Sequence, residues 1–334
     1  MKKVSALIFV FLLSISCKKI LFEEVPDKTP VSIFEQTWNF TNEKYSFFEY
    51  KNINWDSIHT VFSAKIYPSM TEDSLFNVLA DMLYLLKDGH VNLISPFNIS
   101  RNWEWYLDYP TNYSEEILDR YYFNDKQTYV GPFKVFDFND VGYFHYASFS
   151  SEVTEKDMKI VLDKFRNHKG LIIDLRDNGG GSISNVYTIG GHFVDKATVC
   201  AKEKTKTGPG EADFSSFNSL GFYPIEKNVA YQLPVVLLTN RKCYSATNYF
   251  VTMMSELSNV TVIGDKTGGG GGVPTFTQLS NAWTIRVSGT QTYTLKGVNN
   301  ENGVEPDLKI DITETDISNH YDAILETALT FLRQ

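Results

Sequence analysis

Cysteine is scarce in this chain, with three in 334 residues, at positions 17, 200 and 243. Cys17 falls in an N-terminal leader-like stretch, so two remain. Two cannot build a disulfide framework, and a fold of this size does not need one. Cys200 and Cys243 are therefore expected as free or half-buried thiols. Basic charge is short as well: 31 Lys and Arg against 40 Asp and Glu leave a net charge of −9. No basic run follows the first twenty residues, which excludes nucleic acid, because phosphate binding needs a basic face. The partner is then a protein, a peptide or a small molecule. The apolar stretch Ala6 to Leu13 is too short to span a bilayer. There is no internal repeat and no low-complexity segment beyond the run Gly268 to Gly272. What is present, 43% hydrophobic and 21% charged residues, is a globular composition with length for about two domains.

The first residues read "MKKVSALIFVFLLSISC". Lys2 and Lys3 form a positive start, Ala6 to Leu13 an apolar segment, and Ser14, Ile15 and Ser16 precede Cys17. This resembles a bacterial lipoprotein signal with Cys17 as the lipidated first residue of the mature chain. Leu13 stands one place further from the cysteine than that pattern has it, and a plain secretory signal is the alternative. Either exports the chain. The expectation is a signal over 1–16, a tether over 17–31, and an exported, membrane-anchored lipoprotein of the cell envelope.

From about Ser32 aromatic residues recur at helical spacing (Phe34, Trp38, Tyr45, Phe48). "TEDSLFNVLADMLYLLKDGH" predicts a helix with Thr71 as N-cap, a stripe of Leu75, Leu79, Met82 and Leu86, and a stop at Gly89. "VNLI" then reads as a strand. We expect a helical N-terminal domain over 32–94, an irregular connector over 95–140, and a catalytic domain over 141–334. In the last, "VGYFHYASF", "GLIIDLR", "LPVVLLTN" and "NVTVIGD" read as buried strands separated by helices. That succession implies an α/β architecture with crossovers. A hairpin turning at Ser280-Asn281 and a helix from about Ile317 complete it.

Four segments can carry chemistry. Ser245 stands in "VVLLTNRKCYSATNYFVTMM" between a buried strand and a helix. There the helix dipole favours negative charge and the N–H of Ala246 can face an oxyanion; alternatively Ser245 is only an N-cap. In "DLRDNGGGS", Asp174 to Ser182, three glycines allow close backbone approach to a ligand. No Gly-Lys-Ser/Thr follows, which argues against a phosphate loop. The glycine run in "GDKTGGGGGV" is on its own a flexible loop. In "NNENGVEPDL" a turn offers Glu301, Glu305 and Asp307. The six histidines, at 59, 90, 145, 168, 192 and 320, are scattered without ligand spacing, so no metal or cofactor is implied.

In this order the four segments resemble one family, the serine peptidases of the carboxyl-terminal processing and tricorn-core type. The resemblance covers roughly Val141 to Ile310, more loosely "LYLLKDGHVNL". It implies a crotonase-like (ClpP/crotonase) catalytic domain of ββα units, with Ser245 as nucleophile and oxyanion donors from Ala246 and Gly179 or Gly180. The processing-protease branch uses a lysine three residues after the threonine of Gly-x-x-Thr. Here that threonine is Thr267 and the place holds Gly270. Lys242 and Lys266 are nearby in sequence but not at that place. The tricorn-like branch uses a histidine from before the sheet domain and a glutamate shortly before Gly-x-x-Pro-Asp, which correspond to His90 and Glu301. Where tricorn has a serine before its histidine, this chain has Gly89. There is no room for a peptide-binding PDZ module in 95–140.

The resemblance therefore implies a serine peptidase, without metal or cofactor, in which His90 deprotonates Ser245 and Glu301 orients His90. Its partners would be a peptide or unfolded-protein substrate and, through Cys17, a membrane. The alternative is a non-catalytic carrier of hydrophobic ligands or peptides, as the same fold serves in the interphotoreceptor retinoid-binding protein. An inactive scaffold is a third possibility.

Overall fold

Strands β4 (Val141–Tyr146), β5 (Gly170–Asp174), β8 (Val235–Thr239) and β9 (Val260–Gly264) are buried along nearly their whole length. Apolar residues on both faces call for cover on both sides. In the computed structural model, which describes residues 27–102, 107–225 and 230–334, these strands run parallel to one another. They form the middle of a seven-stranded sheet. Phe144, Leu171, Ile173, Val235 and Leu237 point into one core under helices α4 (Glu155–Lys164), α5 (Ile183–Gly190) and α6 (Ala246–Met254). Their neighbours Tyr143, Ile172, Val236 and Leu238 point the other way, onto the C-terminal helix Ala323–Arg333.

The N-terminal helices α1 (Pro30–Lys44), α2 (Trp55–Ser63) and α3 (Glu72–Tyr84) do not form a core by themselves. Ile33, Phe34, Leu79 and Met82 pack against Trp283, Ile285 and Val287 of the hairpin β10 (Pro274–Gln278)–β11 (Thr284–Ser288). After α3 the chain enters β1 (Asn92–Ile94), which pairs antiparallel with β11. This pairing fixes the residues just before β1 against the later half of the chain.

Four details differ from the sequence pattern. The helix after Thr71 ends at Tyr84, and Lys87, not Gly89, takes the left-handed conformation (φ 46°) that turns the chain. Residues 95–140 are more regular than expected: helical turns Glu115–Ile117 and Leu118–Tyr122 precede β2 (Thr128–Val130) and β3 (Phe133–Asp137), which extend the main sheet beside β4. The stretch after the hairpin, β12 (Thr290–Thr294), leaves it and pairs with β6 (Thr198–Thr205). The C-terminal helical segment is broken in two near His320, whose φ is positive. The expected signal over 1–16, Cys17 and the tether up to residue 26 lie outside the described residues. Among the described residues no helix is long and apolar enough to cross a membrane. Cys200 and Cys243 are free and buried.

Candidate active site

Ser245 ends the turn from β8 into α6 with φ 59° and ψ −122°. A non-glycine residue is held there only by its surroundings, at a cost of about 1–3 kcal/mol. It occupies the N-cap position of the helix, but its side chain makes no capping bond. Instead its Oγ lies 2.8 Å from Nε2 of His90. The two glycine-rich segments hold the turn from either side: Tyr244 N–H donates to Asn178 O and Ser245 N–H to Gly269 O.

Asn178 organises the first of these segments. Its Oδ1 accepts from Gly180 N–H (3.0 Å) and from the Thr247 hydroxyl (2.7 Å), while its Nδ2 donates to Tyr146 O. Gly180, at φ +99°, lies so close to the nucleophile that a Cβ there would stand 2.8 Å from Ser245 Cβ and 2.9 Å from Ala246 N. With the Gly180 N–H engaged, the N–H groups of Gly179 and Ala246 make no hydrogen bond among the described residues. This separates two glycines that the sequence left equivalent.

His90 is 4% exposed. Asp88 accepts its backbone N–H at 2.8 Å in a short turn and is itself held by the Ser288 hydroxyl at 2.8 Å. The Tyr244 ring packs on the imidazole with centroids 4.9 Å apart. Burial takes the imidazole from 6.5 down to about 4; Asp88 opposes this, and the positive charges of Arg286 and Lys51 add to it. His90 is therefore neutral at pH 7 and able to accept a proton. The Gly272 backbone lies close enough to favour the charged ring, yet among the described residues no group meets Nδ1 at hydrogen-bond geometry.

The expected contact between Glu301 and His90 is not made. Glu301 Oε1 is 2.7 Å from Lys51 Nζ, and its Oε2 accepts Gly271 N–H at 2.9 Å. A carboxylate 5% exposed needs a cation and hydrogen-bond donors, and here it finds them in α1's connection to α2 and in the glycine run. Burial pushes Glu301 up to about 7, with Lys51 pulling against the rise and Asp88 adding to it. Burial also works against the ionisation of Asp88, but Lys51, 3.9 Å away, with the His90 N–H and Ser288 hydroxyl, holds it below the usual carboxylate range. Lys51 and Asp88 thus belong to the candidate site by contact, and sequence reasoning missed both. Asp88, two places before His90, carried a signal, because an Asx turn there would accept the histidine N–H. Lys51 carried none.

Neither lysine considered as an alternative base reaches for the serine. Lys266 pairs with Glu305 and Lys242 with Asp177, each at 2.8 Å. At Gly270, where the processing branch has its lysine, a Cβ would fall 2.4 Å from Cζ of Tyr244. The tyrosine ring fills that space.

The model of Peptidase family S41 matches residues 140–310, half of the chain, and that of the tricorn protease C1 domain matches residues 26–84. A solved structure of a candidate peptidase from Parabacteroides merdae is 38% identical, with a TM-score of 0.86 over 92% of this chain and 97% of that one. The carboxy-terminal processing protease CtpA of Bacillus subtilis is 28% identical over 179 residues, 53% of this chain and 36% of its own length. The chain thus spans little more than a third of the curated relatives it matches. The photosystem II D1 C-terminal processing protease shares the fold at a TM-score of 0.58 and 15% identity, over 89% of this chain and 98% of that one. By the match over its sheet region and the whole-length likeness to the Parabacteroides merdae chain, the protein belongs to peptidase family S41.

Proposed function

We propose that the chain is an exported serine peptidase in which Ser245 is the nucleophile and His90 its general base. The observation that carries this reading is the 2.8 Å approach of the His90 Nε2 to the half-buried Ser245 Oγ. A serine hydroxyl needs a positioned base at neutral pH, and His90 is neutral and within reach. His90 takes the hydroxyl proton as the oxygen attacks the peptide carbonyl. The oxyanion that forms is received by the N–H groups of Ala246 and Gly179. The imidazolium then gives its proton to the leaving amine, which leaves an acyl-enzyme, and His90 activates the water that hydrolyses the ester.

Asp88 supplies the negative charge that favours the imidazolium. Glu301 acts at one remove, fixing the glycine run through Gly271 and holding Lys51. The N-terminal segment 32–94 brings the base, and the sheet region within 141–334, crotonase-like in design, brings the nucleophile. The substrate is a peptide or unfolded protein lying extended beside the glycine-rich segments, and Cys17 anchors the chain to a membrane of the cell envelope.

Incubation with a mixed peptide library tests this reading. Products should form without added metal and persist with chelator. Ser245→Ala or His90→Ala should lower the rate by about 10³-fold or more with the fold intact. Full activity in His90→Ala together with its loss in Lys266→Ala or Lys242→Ala would reverse the assignment of the base.

A further inference from the structure

Arg286 lies in the middle of β11, between Ile285 and Val287, which both enter the N-terminal core. Strand alternation therefore turns Arg286 to the other face of the three-stranded sheet. Its cross-strand neighbours on that face are Asn92 on one side and Phe276 on the other. Asn92 follows His90 by two residues, so this face leads from the base outward. Ser288, two places along β11 and on this same face, donates its hydroxyl to Asp88 at 2.8 Å, so the face borders the site, and the positive charge of Arg286 works against protonation of His90.

Arg286 is half-buried, yet among the described residues no carboxylate lies within salt-bridge distance of it. Arg120, Arg166, Arg176, Arg241 and Arg333 each meet an acidic partner. Arg286 makes one long hydrogen bond, 3.4 Å, to Asn92 Oδ1. A partly desolvated cation with no carboxylate in direct contact is costly to maintain, and its planar fork of donors matches a carboxylate. Phe276, the next residue along the row, is 72% exposed and offers an apolar wall.

We infer that Arg286, with Phe276 beside it, is a substrate subsite for a carboxylate, carried either at a peptide's C-terminus or on an acidic side chain near the cleaved bond. The inference rests on the peptidase reading of Ser245 and His90. Occupation would also place a negative charge against Arg286, relieve its pull on His90, and make the imidazole a stronger base only when the right substrate is present.

Fluorescein-labelled peptide libraries test it, prepared as free acids and as C-terminal amides, each with glutamate or with glutamine at the variable positions. With the wild-type chain, removing the recognised carboxylate should lower kcat/KM by about ten- to hundredfold. Amidation identifies a C-terminal carboxylate, and the glutamine libraries identify a side-chain one. In Arg286→Gln the ratio between charged and neutral peptides should fall close to one, with Arg286→Lys between. Equal cleavage of all four libraries by the wild type, or an unchanged ratio in Arg286→Gln, overturns the subsite. If the wild type cleaves nothing, the peptidase reading fails. Fluorescence anisotropy of the same libraries on Ser245→Ala then still decides the subsite by whether charged peptides bind more tightly than neutral ones.

Discussion

Nε2 of His90 meets Oγ of Ser245 at 2.8 Å across 155 positions of sequence. Two separate devices produce that contact. On one side, β1 adds to β11 and the Asp88 turn sets the histidine just before the strand begins. On the other, the turn after β8 is forced to a positive φ by hydrogen bonds from both glycine-rich segments. Neither device belongs to the other's core, so the contact reports how the N-terminal helices sit on the hairpin. Two buried titratable groups of the site, His90 and Glu301, shift in opposite senses, and this gives the first prediction.

Burial holds His90 at about 4, below its unfolded value of 6.5, so the stability it contributes is present above 6.5 and lost as pH falls toward 4. Glu301 goes the other way: raised from 4.5 to about 7, it contributes below 4.5 and loses that contribution as pH rises through 7. Each shift corresponds to about 3 kcal/mol. Thermal melts of Glu301→Gln, taken relative to wild type, should therefore improve steadily from pH 5 to pH 8. Those of His90→Gln should improve as pH falls from 7 to 4.5. In the active chain, kcat/KM should reach half its plateau on the acid side near pH 4. A limb near 7 that vanishes in Glu301→Gln would transfer control to the glutamate, and one near 6.5 in both chains would mean a hydrated imidazole.

Gly270 gives the second prediction. Its φ is +75°, and a Cβ there would overlap the Tyr244 ring that packs on His90. Gly270→Ala should cost about 1–3 kcal/mol through crowding and lower kcat more than it raises KM, because the displaced ring disturbs the imidazole. Gly270→Lys restores the residue that the processing branch has at this place, but without space to reach Ser245. It should leave His90→Ala as inactive as before. Recovery of peptide cleavage in that double variant would show that the pocket accepts either base.

The legible parts of this molecule are those where one segment states its own environment. Val235 to Leu238 are apolar at every position, as a strand covered on both faces must be, and Ser245 follows at the opening of a helix. Gly180 and Gly269 were visible as runs of glycine, although only the packing shows that they clamp the nucleophile's turn. His90 was reachable because the expected lysine is missing at Gly270. The partner of Glu301 was not legible, since Lys51 lies 250 positions away and a single ion pair leaves no periodicity. β2 and β3 escaped notice for a different reason. They are three and five residues long in an aromatic, turn-rich stretch, and their pairing with β4 decides their conformation more than local propensity does.

Lys51 supplies the last prediction. It is the cation between Glu301 at 2.7 Å and Asp88 at 3.9 Å, both buried, and its own ammonium is held charged: burial opposes that, while Glu301 and Asp88 more than compensate. Lys51→Met would leave two buried carboxylates without a counter-charge, a change that typically costs about 3–5 kcal/mol. The loss should be largest at pH 8, where Glu301 is ionised, and should shrink toward pH 5 as it takes up a proton. Removing one of the stranded charges should repair much of the damage, so Lys51→Met with Glu301→Gln should be more stable at pH 8 than Lys51→Met alone. Urea unfolding of the wild type, both single variants and the double variant at the two pH values measures that coupling. Since Lys51 also lowers His90, the acid limb of kcat/KM in Lys51→Met should move upward from about 4. Additive stabilities in the cycle and an unmoved limb would mean that Lys51 is only a neighbour of the site.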